Sequence, residues 1–370
     1  MKKVILLITA VCLFVMIFSA TATAESADIK PITLDTAIAK ALEHDKTDRI
    51  IDIDIRLKTI EAEDALKNAQ YPDREQEIYD QYKNLSIPAK QIWKEVLPME
   101  KQFEVEKLIE QKKESDEQLK NKVTYTFFNA LFDEKNAMLA EEEKTLAKKE
   151  LEIVQKRFNL GQISEITLKE AQLAYKGVEL NYAAIIDEKD YSLNDFADLL
   201  GLSSEVCKPA SETITQSQLK EYDKGVFIEL LKKNNTTYLN ALKEQEFKQK
   251  RFNIYKEIVR YGISKEEAEA EKALINANVN LRKVLKDEII QMYSEYIDLL
   301  NMQGDIEVSR GNLEVSKAKA EQKVNQYEKG LITEIELNKE QLNYRKLELK
   351  LYQDINTFNY RVSNLMLKFM

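Results

Sequence analysis

Few residues in this chain could do covalent chemistry. The single histidine, His44, stands beside Asp45. An imidazole next to a carboxylate is half of a general-base pair. No serine, cysteine or second histidine stands near it in any motif, so His44 reads as a surface or capping residue at a helix end. There are two cysteines, Cys12 and Cys207. Cys207 has no histidine partner to raise its thiolate. Cys12 follows Val11 in mid-run rather than a small residue, which argues against a lipid anchor. The chain has no cluster of Cys and His at metal-ligand spacing and no glycine-rich phosphate loop. The residues thus suggest no catalytic group, no metal site and no cofactor. The carboxylates Glu334 and Glu336 open one helix, where the macrodipole favours an exposed acidic first turn. The aromatic set Tyr125, Phe127, Phe128, Phe132, Tyr293 and Tyr296 reads as core between helices.

The elements carrying these residues are helices. Gly and Pro number only 8 and 5 in 370 residues, several-fold less glycine than average usage. Ala, Leu, Glu, Lys and Gln, all strong helix formers, take their place. Few turns and many helix formers imply few, long helices, and the abundant Glu and Lys read as their solvated faces.

The N-terminus reads as an export signal. Lys2 and Lys3 precede an apolar run from Val4 to Phe18, and Ala22-Thr23-Ala24 makes a small-residue cleavage site before Glu25. Removing residues 1–24 takes away two lysines and no acids, so the net charge of -9 becomes -11. Such an acidic chain is a poor partner for nucleic acid. Cys207 alone remains after cleavage, which leaves no internal disulfide.

The main signal is an internal repeat. The stretch beginning Gly161-Gln-Ile-Ser-Glu-Ile-Thr-Leu recurs 169 residues later as Gly330-Leu-Ile-Thr-Glu-Ile-Glu-Leu, with ten of the twenty positions from Gly161 to Leu180 identical. Apolar stripes seven residues apart run through both copies: Ile166, Leu173, Leu180 and Ile335, Leu342, Leu349. Others precede the glycines: Phe132, Leu139, Leu146, Ile153 and Leu299, Ile306, Leu313, Ala320, Tyr327. Sevenfold stripes form the seams of packed, gently supercoiled helices.

Each glycine is expected to end one long helix at positive φ, with Ser164 or Thr333 capping the next. The first arm is expected over about Val123–Asn159, roughly 55 Å long. The return arm should end near Leu199-Leu200-Gly201, with a connector over Val206–Gln218. Short helices at Thr33–Asp45 and Phe227–Asn234 open the halves, followed by longer ones near Asp48–Gln70 and Tyr238–Val259. Two-residue periodicity is absent from Ala69–Lys122 and Ile258–Ile290, which are helix-patterned and charged. Tyr261-Gly262-Ile263 reads as a turn, and Ser264 to Glu267 as a capping box. The expectation is an all-α protein of two tandem long helical-hairpin repeats, residues 25–210 and 211–370, forming one structural unit.

Arg157-Phe158-Asn159-Leu160-Gly161, the Ile163-Ser164 turn, Gln172-Leu173, Leu199-Leu200-Gly201 and the element at Leu34–Asp45 resemble the TolC family of outer-membrane efflux proteins. The resemblance spans nearly all of the chain after residue 24. It implies a homotrimer whose twelve helices curl into a hollow cylinder, with strands inserted in each repeat closing an outer-membrane barrel. It also implies a periplasmic adaptor (a membrane-fusion protein) docking at the glycine turns and linking the cylinder to an inner-membrane pump. Gly161, Ile163, Ser164, Gly330, Ile332 and Thr333 become the adaptor-contact tips. In a trimer, Glu334 and Glu336 would recur around the entrance as an acidic ring favouring cations. This sequence departs from the family in lacking alternating barrel strands of about nine to eleven residues in either half. The functional expectation is an exported, extracytoplasmic component of an efflux or secretion assembly, in the outer membrane by family analogy. The competing readings are a structural coiled-coil protein of the cell envelope without transport and a helical carrier for apolar cargo.

Overall fold

The computed structural model describes residues 31–258 and 264–369. The export signal and the turn at 261–263 lie outside the described residues. The elements in order are α1 (Leu34–His44), α2 (Thr47–Gln70), α3 (Gln76–Lys83), α4 (Ile87–Glu95), α5 (Leu97–Asn159) and α6 (Glu165–Leu200). The second half continues with α7 (Lys224–Asn234), α8 (Thr236–Ile258), α9 (Lys265–Glu328) and α10 (Glu334–Leu367). The fold is all-α. Among the described residues the nearest approach to a strand is one isolated parallel bridge between Ile32 and Pro209.

The two halves repeat the same plan. A short capped helix leads into a middle-length one. A very long helix then runs to a glycine turn, and a return helix comes back along it. Thr33 and Asp223 cap α1 and α7 through their side chains, removing orphan N–H groups from each first turn. The first arm is much longer than the expected Val123–Asn159. Helix α5 has 63 residues and α9 has 64, about 95 Å each at 1.5 Å per residue. Pro98 does not break α5, because it lies in the first turn, where a missing N–H costs nothing.

Such long helices are paired twice. One end of α5 lies along α2 and the other along α6; likewise α9 lies along α8 and then α10. Helix α10 also packs on α5, which joins the hairpins in the row α6, α5, α10, α9. Ion pairs lace the α5–α10 seam: Lys339 to Glu150 at 2.6 Å, Lys346 to Glu143 at 2.6 Å and Arg345 to Glu142 at 2.5 Å.

Two buried clusters hold the plan together. In the first half, Ala37 and Ala41 of α1 meet Val123, Phe127, Phe132 and Phe196. In the second, Phe227 and Leu231 of α7 meet Met292, Tyr296, Leu299 and Phe358. Of the aromatic set, Phe127, Phe128, Phe132 and Tyr296 are core as expected, whereas Tyr125 and Tyr293 are half-buried between helices. Where α1 is small α7 is large, so the same space is filled differently. Asn356 fixes the hairpins' register: its amide donates to the Tyr125 carbonyl at 3.0 Å and to Asn129 Oδ1 at 2.9 Å. The connector is pinned by the Tyr296 hydroxyl, which donates to the Lys220 carbonyl and accepts from the Tyr222 N–H.

Where the resemblance would insert strands, the first half makes α3 and α4, and α8 passes to α9 through residues 259–263. Ile92 and Val96 pack on Phe247 and Ile254, and α4 touches both α2 and α8. Ser264 Oγ accepts from the Glu267 N–H at 3.0 Å, the serine half of the expected capping box. No helix among the described residues is long and apolar enough to cross a membrane.

Candidate functional site

The two tips are near-copies. Gly161 and Gly330 both adopt φ of 68°, a conformation that costs a glycine nothing. At each, the helix closes by two crossed bonds. Gly161 N–H donates to the Phe158 carbonyl at 2.8 Å and Gln162 N–H to Arg157 at 2.9 Å. Gly330 N–H donates to Tyr327 at 2.8 Å and Leu331 N–H to Gln326 at 2.9 Å. This pairing satisfies the last carbonyls of α5 and α9 and reverses the chain. Ser164 Oγ then accepts from the Thr167 N–H, and Thr333 Oγ1 from the Glu336 N–H.

The expected tip residues sit at these reversals, with Ile163 and Ile332 half-buried. The reversals also hold out Leu160 and Leu331, 71% and 70% exposed. The turn reading named the glycines and caps rather than these leucines. A leucine on either side of a helix-ending glycine has no core to enter, and that was the available signal.

Glu336 is engaged in the fold. Its carboxylate accepts from the Thr333 N–H at 2.8 Å and from the Thr333 hydroxyl at 3.0 Å, completing a capping box. Those bonds, backbone first, hold its carboxyl below the ordinary range. Glu334 is exposed in the same first turn. The cap uses one of the two proposed ring carboxylates locally.

His44 and Cys207 both take structural places. His44 ends α1 against Gly201. Cys207 is buried in the first cluster, and burial pushes its thiol up to about 11, away from the reactive thiolate. No cluster of three potential metal ligands occurs among the described residues. Above the tips an open groove of about 560 Å³ runs between α5, α6 and α10, floored by Leu146, Leu151, Ala171, Ala174 and Leu342.

The seams are not equally covered. Leu342 and Leu349 on α10 are buried, 4% and 6% exposed, against α5. Their repeat partners on α6, Leu173 and Leu180, are 73% and 60% exposed, and Ile166 is exposed as well. The expectation that this stripe packs as a seam fails within one chain, because none of the described residues lies beyond α6 to cover it.

No family model matches the chain, and no curated protein matches it. Solved structures do. The crystal structure of a membrane protein from Pseudomonas aeruginosa aligns with a TM-score of 0.64 at 10% identity, over 91% of this chain and 90% of that one. The CmeC outer membrane channel of Campylobacter jejuni aligns at 0.63 and 12% identity, over 91% and 85%. The outer membrane protein VceC of Vibrio cholerae aligns at 0.60 and 12% identity, over 91% and 94%. The chain therefore has the fold expected from its repeats, that of the TolC-like outer-membrane channels, built here without strands among the described residues.

Proposed function

We propose that this chain is an exported, TolC-like component of an efflux or secretion assembly in the cell envelope, and that it docks through its two hairpin tips. The observation that carries this reading is the matched pair of glycine turns at equivalent ends of two long hairpins, each presenting an exposed leucine. Two equivalent tips offer one partner surface twice per chain. The partner is an adaptor of the periplasmic membrane-fusion kind, linked to an inner-membrane pump. The homotrimer is the assembly that the resemblance implies. The tips act by shape and apolar surface, and no catalytic group is required.

The helical segment α3–α4, standing where barrel strands would be, favours a second reading: an envelope spacer that kept the hairpins and lost transport. The double variant Gly161→Val with Gly330→Val separates the two. A β-carbon at either glycine meets nothing within 4 Å, so the cost is backbone strain alone, roughly 1–3 kcal/mol per site. The variant should stay helical and exported. Capture of the adaptor candidate, taken from a neighbouring gene, should weaken. Unchanged capture would make the tips mere turns and give the spacer reading the lead.

A further inference from the structure

Helices α3 and α4 have no counterparts among the described residues of the second half, where α8 ends at Ile258 and α9 starts at Lys265. The two differ in what they bury. Helix α4 turns Ile92 and Val96 inward onto Phe247 and Ile254. Helix α3 has 8 residues and buries none of them. So short a helix is unstable by itself, yet its sequence is two-sided. At 3.6 residues per turn, Glu77 and Asp80 fall on one side, and Ile78, Tyr79 and Tyr82 on the other.

Lysines frame the apolar side. Lys83 Nζ stands 5.8 Å from the centre of the Tyr79 ring. Lys90 and Lys94 of α4 each place Nζ 5.4 Å from the centre of the Tyr82 ring, which joins the two helices into one surface. Ile87 precedes Lys90 by three residues and Lys94 by seven, so it shares their outward face of α4. Ile87 is 71% exposed and Tyr79 40%. Nearby ion pairs engage Arg74 with Glu75 and Glu95 with Lys250. Among the described residues no ion pair engages Lys83, Lys90 or Lys94.

We infer that α3 and the outward face of α4 rest on a bilayer surface that contains anionic phospholipid. The patch has the chemistry of that surface. Tyrosine rings suit the headgroup level, an isoleucine suits the acyl boundary beneath it, and ammonium groups suit lipid phosphates. Helix α3, about 12 Å long, lies along the surface with Glu77 and Asp80 turned to water. A soluble polyanion would use the lysines but leave Tyr79 and Ile87 without a role. The chain as a whole carries a net charge of -9, which an anionic surface repels, so the contact is confined to this patch. The patch adjoins the start of α5, and the first tip follows its end. The inference therefore stands apart from adaptor docking, and either can fail alone.

The test is flotation of the mature full chain with vesicles of phosphatidylcholine alone and of phosphatidylcholine mixed with phosphatidylglycerol. The wild type should bind the mixed vesicles and not the neutral ones. K83Q with K90Q and K94Q should weaken binding about a hundredfold. K148Q with K149Q and K156Q removes the same charge from exposed positions of α5 and should leave binding within about twofold. Y79S with I87S leaves the charge unchanged and should weaken binding about tenfold. Circular dichroism should show all four proteins equally helical. Three results would overturn the inference. They are a wild type that binds mixed vesicles no better than neutral ones, equal losses from the two lysine triples, and full binding by the serine pair, which would mark a polyanion site instead of a lipid surface.

Discussion

The His44 imidazole packs so closely on Gly201 that a β-carbon there would overlap its Nδ1, Cε1 and Cγ atoms. Gly201 has φ of 65° and ends α6 by the same crossed bonding that closes the tips. The only histidine of the chain therefore marks a joint, where the end of α1 meets the end of the returning hairpin.

Replacement of Gly201 by alanine should be costly on two grounds. The left-handed backbone costs about 1–2 kcal/mol for a residue with a β-carbon, and displacing the imidazole adds to it. In a His44→Ala background the second cost should vanish and the first remain. Chemical denaturation of the four proteins in this cycle measures the difference. Equal penalties in both backgrounds would mean that the imidazole moves aside freely.

Cys207 should be inert in the folded protein. It is buried, with its thiol raised to about 11 by desolvation. A thiol-disulfide reagent at pH 8 should label the mature chain slowly, and one equivalent should react promptly in denaturant. Prompt labelling of the native chain would show that the first cluster opens easily.

The second tip should loosen in acid. The bonds from Thr333 depress the Glu336 carboxyl from its ordinary value of 4.5. A group whose folded pKa is depressed stabilises above its unfolded pKa, and that contribution is lost as pH falls through the folded one. Protection of the Thr333 amide against hydrogen exchange, relative to Glu336→Ala, should be full near neutrality and disappear below the carboxylate range. A difference that persists in acid would assign the protection to something other than the capping box.

The hairpins are legible in the sequence for a local reason. A turn between two long helices needs a residue at positive φ, so glycine marks it, and the seven-residue spacing of Leu342 and Leu349 is written in the chain itself. The length of α5 is not legible in the same way. Residues 101–122 carry few apolar side chains, and their helix is supported by pairs such as Lys120 with Glu117 at 2.6 Å and by packing on α2. Coverage is a non-local property: Leu173 and Leu342 have similar neighbours in sequence, and both their helices lie along α5, yet only the Leu342 side chain is covered. His44 against Gly201 joins residues 157 positions apart, which no local spacing announces. Of the tip, the glycines and caps are readable directly, whereas the exposed leucines are readable only through their place beside a helix-ending glycine.

The function proposed above is that of a helical conduit, in a chain whose described residues form no barrel strands. Its most direct test is the mass of the purified mature protein in plain buffer and again in detergent. The account predicts one discrete mass, the same whole multiple of the chain in both. A single chain in both, or a protein that keeps its assembly only in detergent, would contradict it.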